Sequence, residues 1–555
     1  MRRDYLLITG LAILFFFPFL GTVHLFDRGE ACIAESAREM LLTGEWIRPQ
    51  IGFQPFPGRP PMFLWAQAIS MYFFGVNEFA ARFPNAVCGL VTLLLIYRIG
   101  NRLHGRMFAW LWVLAWLGSF LPHLYFRSGV VDPWFNLLVF SGLYGFIEFR
   151  WQFLTARNER SFWKRYRYLL AGGGLLGMAV MTKGFSAYLI AMLVLGLYWA
   201  RYRFRGRGYL SHLALFSAAA MLWMAAWIGL DACLHGPGYV GRFMSEQIRL
   251  FSAPAGTEGG FYGEQIFILL LGCFPVSVFA LANIWGDRQP EEELLESDTL
   301  AACKRSDLVT WMQLLFWTGF ALTSVVRTNM IHYASLCYFP LTYLGAVTLW
   351  RAIRWDILPK VVNYLLPGVG VLLGVAVMVL PHFMKYHSDR LKTVFSSDPF
   401  ALASIEAAIP WANWQGAPGL ILAVASIAAW YFWRKYRPWL TAQAVFAGGA
   451  LFAFLTSLFI VCNIEKHVQG AAVEFYQSKC GKDCRIRPVG FISYAHLFYA
   501  CQIPGSEARR TYFVAKVSDL CGLPEVPGCR ELYRKNGFVF FEYDPATSPS
   551  PGKEK

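Results

Sequence analysis

Near the N-terminus, two long apolar runs enclose a short stretch dense in charge. Asp27, Glu30 and Glu35 stand just past the first run, and Arg59 and Arg82 follow in the same stretch. Further charges stand where later apolar runs begin or end. These are Asp132 in FRSGVVDPW, Lys183 in MTKGFSA, Arg249 in the Gly-rich segment 231–261, and Arg327, His332 and Tyr333 in VVRTNMIHYASLCYFP. Carboxylates suit a general base that takes a proton from an acceptor hydroxyl. Guanidinium and ammonium groups suit phosphate, bidentate from Arg and as a point charge from Lys. The set points to a lipid-phosphate donor and a transfer reaction at the edge of a membrane. Simpler roles exist for some members. Asp132 before Pro133 could cap a helix, Lys183 could snorkel from a tight turn, and His332 could pack against Tyr333. A transporter would use charges too, but near the midplane of broken helices rather than at one end. No Ser/His/Asp, G-x-S-x-G or H-E-x-x-H arrangement occurs.

These residues share one depth only if the apolar runs are membrane spans. Of the 555 residues, 56% are hydrophobic, 17% aromatic and 15% charged. The mean hydropathy is +0.41. Soluble proteins carry about 25% charged residues. The chain therefore reads as an all-α polytopic membrane protein with about thirteen spans. They fall at 6–25, 84–97, 107–125, 131–149, 168–182, 185–200, 211–230, 262–283, 308–325, 335–350, 361–381, 417–433 and 439–461. With a cytoplasmic N-terminus, Lys and Arg concentrate in the cytoplasmic loops, as the positive-inside rule requires. The net charge of +15 thus orients the chain toward anionic lipid and gives no support to a nucleic-acid partner. The first run follows Met-Arg-Arg without a small-residue cleavage site and reads as a retained anchor.

Three regions frame the site. Residues 1–462 form the membrane domain, and 26–83 its first outer loop. In that loop 28–42 reads as an amphipathic helix on the membrane surface. Ile33, Ala34, Ala37, Met40 and Leu41 form its apolar face, Glu35, Arg38 and Glu39 lie outside it, and Thr43-Gly44 stops it. Residues 48–61 read as a Pro/Gly loop, and 62–74 as a short interfacial or re-entrant helix that holds Arg59 at the surface. Residues 231–261 read as a loop, and the acidic 284–307 as a solvated face. The tail, 463–555, reads as a small periplasmic α/β domain. IEKHVQGAAVEFYQ predicts a helix, RPVGFISY and TYFVAKV strands, and LYRKNGFVFFEY a hairpin at Asn536-Gly537, before a disordered end. Of twelve Cys, Cys462, Cys480, Cys484, Cys501, Cys521 and Cys529 belong to this outer part. Disulfides are expected there rather than zinc, with connectivity open.

The motifs resemble those of a known family. D-R-G-E-A-x-x-A-E-S-A-R-E-M from Asp27, T-G-E-W from Thr43, R-P-P-M-F-L-W from Arg59 and G-V-N-E-F-A-A-R-F-P from Gly75 carry the likeness. V-D-P at Val131, T-K-G-F at Thr182 and H-Y-A-S-L-C-Y-F-P at His332 continue it. Together they resemble the GT-C fold glycosyltransferases that use lipid-linked sugars, the bacterial aminoarabinose transferases and protein O-mannosyltransferases. The resemblance implies an enzyme of the bacterial inner membrane. It would move a sugar, with inversion, from undecaprenyl (polyprenyl) phosphate to a periplasmic acceptor that is lipid A, a protein or a glycan. It implies an acidic first-loop residue as base; Asp27 or Glu30 could serve, and Asp27 is the one expected, with Glu30 and Asp132 in support. Arg59, Lys183 and Arg249 would hold the phosphate, with Arg82, His332 and Tyr333 in the donor site. No cofactor is required, although first-loop carboxylates could hold a divalent metal. The family's Asp-Glu pair reads Gly29-Glu30 here, its Glu-Lys-Pro reads Gly58-Arg59-Pro60, and its Lys before the His-Tyr segment is Asn329. A catalytically silent lipid-phosphate-binding relative and a lipid-linked-sugar transporter are the alternative readings.

Overall fold

The computed structural model describes residues 2–155, 161–203, 209–252, 263–285, 299–326, 331–502 and 510–544. Most apolar runs are helices. Among the described residues five are long and apolar enough to cross a bilayer: Glu78–Leu103, Tyr209–His235, Lys360–Tyr386, Asn413–Arg434 and Pro438–Ser478. The run at 107–125 is divided into Arg106–Leu117 and Phe120–Tyr125. Gly118 marks the break and lies on the helix Pro438–Phe459, where an added Cβ would stand 2.4 Å from the Phe446 carbonyl oxygen. Part of the acidic stretch (286–298), Arg327, Asn329 and the chain end from 545 lie outside the described residues.

Helix packing sets up the site. Asp132–Thr155 and Phe162–Lys183 run side by side, in backbone contact at Gly145 and Gly172. A Cβ on Gly145 would stand 2.7 Å from the Gly172 Cα. This close approach brings the start of one helix, Asp132, to the end of the other, Lys183.

The first loop begins with a π-helical turn, Asp27–Ala31. The helix Cys32–Thr43 continues from it and ends at Gly44 in the left-handed conformation (φ 72°). A two-stranded hairpin follows, β1 (Gln50–Ile51) with β2 (Gln54–Pro55), and then the helix Met62–Phe74. One expectation fails. Glu35, Arg38 and Glu39 do not face water, since they are 0%, 6% and 0% exposed. The tail and the hairpin cover this polar side, and the helix's own periodicity carries no trace of those covers.

The last long helix runs on past residue 462, through a π turn at Lys466–Gly470, to Ser478. The tail sheet has the order β3-β4-β6-β5, with β3 Cys484–Val489, β4 Arg510–Lys516, β5 Cys529–Lys535 and β6 Phe538–Tyr543. β3 and β4 are parallel, and the other pairs are antiparallel. The β5–β6 turn is Asn536-Gly537, both at positive φ (49° and 81°), as a two-residue hairpin requires. Cys480 and Cys501 form a disulfide, whereas Cys462, Cys484, Cys521 and Cys529 are free thiols. The tail and the first loop share one apolar core, in which Leu25, Ile33, Ala37, Met40 and Phe63 meet Val473, Phe475, Phe498 and Phe540.

Candidate active site at the first loop

Glu30 and Arg82 form the rigid centre of the loop. Glu30 is 3% and Arg82 4% exposed. Arg82 Nε donates to Glu30 Oε1 at 3.0 Å and Nη2 to Oε2 at 2.6 Å. The remaining Arg82 N–H groups donate to the carbonyls of Leu20, Val23 and His24. All five guanidinium donors are therefore engaged. Glu30 also accepts the backbone N–H of Gly129 and of Phe26. Burial pushes its carboxyl up, but Arg82 and these N–H groups outweigh that and hold it below the ordinary value. Such a carboxylate is a weak base, and Arg82 has no donor left for a phosphate. Both residues fix the loop's shape.

Asp27 joins the loop to the tail. Its Oδ1 accepts the backbone N–H of Tyr494 and of Ala495, each at 2.6 Å. It thereby caps the short tail helix Ala495–Tyr499 from outside. Its own N–H donates to Gln469 Oε1 at 3.2 Å. Nearby, Leu25 N–H donates to the Tyr499 hydroxyl at 2.7 Å. His24 meets both Glu465 oxygens at 3.2 Å, and that carboxylate, against the effect of burial, raises the His24 pKa. Asp27 Oδ2 accepts no hydrogen bond among the described residues, so one carboxylate oxygen stays open. Sequence reading missed these tail partners because they lie more than 400 positions away.

Two cations of the loop are left over, the exposed Arg28 and Arg59. Arg59 is half-buried, and its side chain makes no hydrogen bond or ion pair among the described residues. Its charge, with those of Asp27 and Glu35, acts on the Cys32 thiol, which burial pushes up to about 11. It also acts on Tyr494, whose hydroxyl burial pushes up. Arg59 thus acts on the same two groups as Asp27. Two of the loop's glycines, Gly29 and Gly58, leave space. A Cβ on Gly29 would meet only Val130 Cγ1, at 3.9 Å. A Cβ on Gly58 would meet Glu246, at 3.6 Å from Cγ and 3.8 Å from Oε1.

Asp132 is 4% exposed and ion-paired with Lys183. Lys183 also lies over the Phe135 ring, 5.4 Å from its centroid. Glu246 belongs to an element that the sequence hid, since Gly238–Ser252 is a helix and not the expected loop. Gly238 and Gly241 obscure it, but Tyr239, Phe243 and Gln247 repeat at the helical spacing. Arg249 sits on its outer face, exposed and paired with Glu246 at 2.9 and 2.5 Å. A second set of bonds ties this helix's neighbour to the first loop. Arg48 Nε meets Asp231 Oδ1 at 2.6 Å, and His235 Nε2 meets Glu45 Oε2 at 3.0 Å. His332 and Tyr333 belong to the 3-10 turn Ile331–Cys337, and their side chains lie outside the described residues. No three His, Cys, Asp or Glu side chains gather as a metal site among the described residues.

Residues 58–228 match the family model described as dolichyl-phosphate-mannose-protein mannosyltransferase. The chain is similar to the undecaprenyl phosphate-alpha-4-amino-4-deoxy-L-arabinose arabinosyl transferase of Photorhabdus laumondii, 28% identical over 52% of each chain. It therefore spans about half the length of that curated relative. The transferase of the same name from Pseudomonas aeruginosa (strain LESB58) is 27% identical, over 80% of this chain and 73% of its own. Among solved structures, apo ArnT from Cupriavidus metallidurans is 16% identical, with 99% of both chains covered and a TM-score of 0.71. The same protein bound to undecaprenyl phosphate gives a TM-score of 0.68 over 98% of both chains. The chain has this GT-C fold, and the resemblance drawn from the first-loop motifs holds.

Proposed function

We propose that the protein is a glycosyltransferase of the bacterial inner membrane. It moves a sugar from polyprenyl (undecaprenyl) phosphate to an envelope acceptor: lipid A, a protein or a glycan. The observation that carries this reading is a pair of open groups, the Arg59 side chain, without a partner among the described residues, and the half-open carboxylate of Asp27. Both lie in the first loop of a chain with the ArnT fold. The names of the relatives and the undecaprenyl phosphate bound to that ArnT support the donor class. About thirteen spans, a cytoplasmic N-terminus and a periplasmic tail fit the distribution of Lys and Arg. The tail disulfide fits an oxidising compartment.

The step is a displacement at the anomeric carbon. The acceptor hydroxyl oxygen bonds to that carbon as its bond to the phosphate oxygen breaks. The hydroxyl proton passes to Asp27 Oδ2, and polyprenyl phosphate leaves with its charge held by Arg59. Asp132 and Lys183 close the site from the facing helices, and Glu30 with Arg82 hold the loop that presents Asp27. A second reading, binding of the lipid phosphate without turnover, is favoured by Gly29 and Gly58, where the resemblance implies carboxylates.

The test supplies purified protein with undecaprenyl-phosphate sugars and envelope extract, and measures released undecaprenyl phosphate. Wild-type protein releases it, and Asp27→Asn lowers the rate by about 100-fold or more. Asn keeps an oxygen for Tyr494 and Ala495, so the variant stays folded. Tight binding with no release in wild type would replace this reading with the second.

A further inference from the structure

The helix Gly238–Ser252 lies over the site and presents one residue that its packing does not explain. Its inner edge is a stripe at i, i+4 and i+8: Tyr239 is 2% exposed, Phe243 1% and Gln247 5%. Both aromatic rings meet Trp227 edge-on. Gln247 ends this otherwise aromatic stripe. Its Nε2 is buried with no hydrogen-bond partner among the described residues, a costly state for a polar donor unless something completes it. The Tyr239 hydroxyl is also unpaired, but it lies two turns away, where Arg48 covers its ring.

The surroundings of Gln247 are those of the site. A Cβ on Gly184 would stand 2.1 Å from Gln247 Oε1, and Gly184 has φ +82°. A glycine at 184 therefore makes room for the amide. Gly184 directly follows Lys183, whose ammonium pairs with Asp132. The preceding helix residue, Glu246, lies along Gly58, next to Arg59. One turn of helix thus brings a carboxylate and an unused amide donor to the two chain turns that carry the site's cations. A neutral amide adds no charge for phosphate, which Arg59 serves. It suits a ring or hydroxyl oxygen of a sugar.

We propose that Gln247 contacts the sugar of the lipid-linked donor, its Nε2 donating to a ring or hydroxyl oxygen, and so helps decide which sugar is accepted. This rests on the glycosyltransferase reading above. Sites built to hydrogen-bond a substrate group discriminate strongly against analogues that lack it.

The test measures binding to the full-length protein in nanodiscs by tryptophan fluorescence. The probes are undecaprenyl phosphate itself and undecaprenyl phosphate carrying arabinose, 4-amino-4-deoxyarabinose, mannose or glucose. In wild type, at least one sugar-bearing lipid binds more tightly than the bare lipid. Gln247→Leu weakens that lipid by about 10-fold and leaves undecaprenyl phosphate unchanged within about 2-fold. Gln247→Asn, which withdraws the amide by one methylene, shows the same selectivity and serves if the Leu variant does not fold. Equal weakening of bare and sugar-bearing lipid, or no weakening of either, overturns the role of Gln247 and leaves the function standing. Failure of wild type to bind undecaprenyl phosphate overturns the function, and the role of Gln247 with it.

Discussion

The first loop has two faces that treat their charged groups in opposite ways. On the face toward the tail the charged side chains are matched, although Tyr476 O–H, Ser493 Oγ, His496 Nδ1 and Gln502 Nε2 of the tail are buried without partners among the described residues. Arg38 reaches both Glu35 oxygens and the Gln502 carbonyl, Glu39 takes the N–H groups of Gly52 and Phe53, and Arg82 uses all five of its donors. On the face toward the helix Gly238–Ser252, groups are left over. The Arg59 side chain and the Gln247 amide have no partner among the described residues, while Asp27, at the seam with the tail, keeps one open oxygen. Buried charges are ordinarily paired, so the difference in charged groups separates scaffold from site. The matched face holds the loop on the tail, and the unmatched face awaits a ligand.

The largest effect should come from the matched face. Glu30→Gln leaves the Arg82 charge buried without its partner, at a cost of about 3–5 kcal/mol. Thermal unfolding should show the same loss with and without undecaprenyl phosphate, because the pair is spent on structure. A loss that lipid rescues would place Glu30 in the ligand site and break the division. Arg59→Ala is the reciprocal experiment. The side chain holds nothing in the described structure, so the unfolding midpoint should barely move. Affinity for undecaprenyl phosphate should fall by about 10- to 100-fold, the worth of about 1.5–3 kcal/mol for a hydrogen bond to a charged group. A large drop in stability with unchanged affinity would make Arg59 scaffold after all.

The local and periodic features were legible in the sequence. The helix Met62–Phe74, the stop at Gly44, the Asn536-Gly537 turn and the helix starting at Asp132 all follow from spacing and turn chemistry. The charges of the first loop were visible as a group, but their division into matched and unmatched was not. Asp27 is fixed by Tyr494 and Ala495, and Arg38 by Gln502, across more than 400 positions with no pattern to link them. The helix Gly238–Ser252 was hidden because its glycines depress helix propensity while its stripe is short and ends in a polar residue. That residue is Gln247, which composition alone would have assigned to a solvated loop. The tail also hid the true state of Glu35 and Glu39, since an amphipathic pattern reports a polar face but not what comes to cover it.

A smaller effect sharpens the comparison within the matched face, where Glu30 and Glu39 are buried carboxylates of opposite character. Glu30 is held below its ordinary value. Its contribution to stability is present above the unfolded value near 4.5 and is lost as pH falls through the folded one. Glu39 has no cation of its own. Burial, and then the neighbouring Glu35 charge, push it up to about 8. Its folded form keeps a proton that the unfolded chain gives up, so its sign is reversed. That stability is full below about 4.5, falls as pH rises toward about 8, and stays low above. Glu39→Gln cannot titrate and still offers one oxygen to the Gly52–Phe53 turn. Its unfolding midpoint should therefore stay level between pH 5 and pH 8, where the wild-type midpoint declines, while the acid limb due to Glu30 persists in both proteins. A wild-type profile level across that window would mean that Glu39 is ionised in the folded protein and that the Gly52 and Phe53 N–H groups alone suffice to hold its charge. The hairpin before Arg59 would then be fixed by a full carboxylate, and the matched face would extend to the edge of the site.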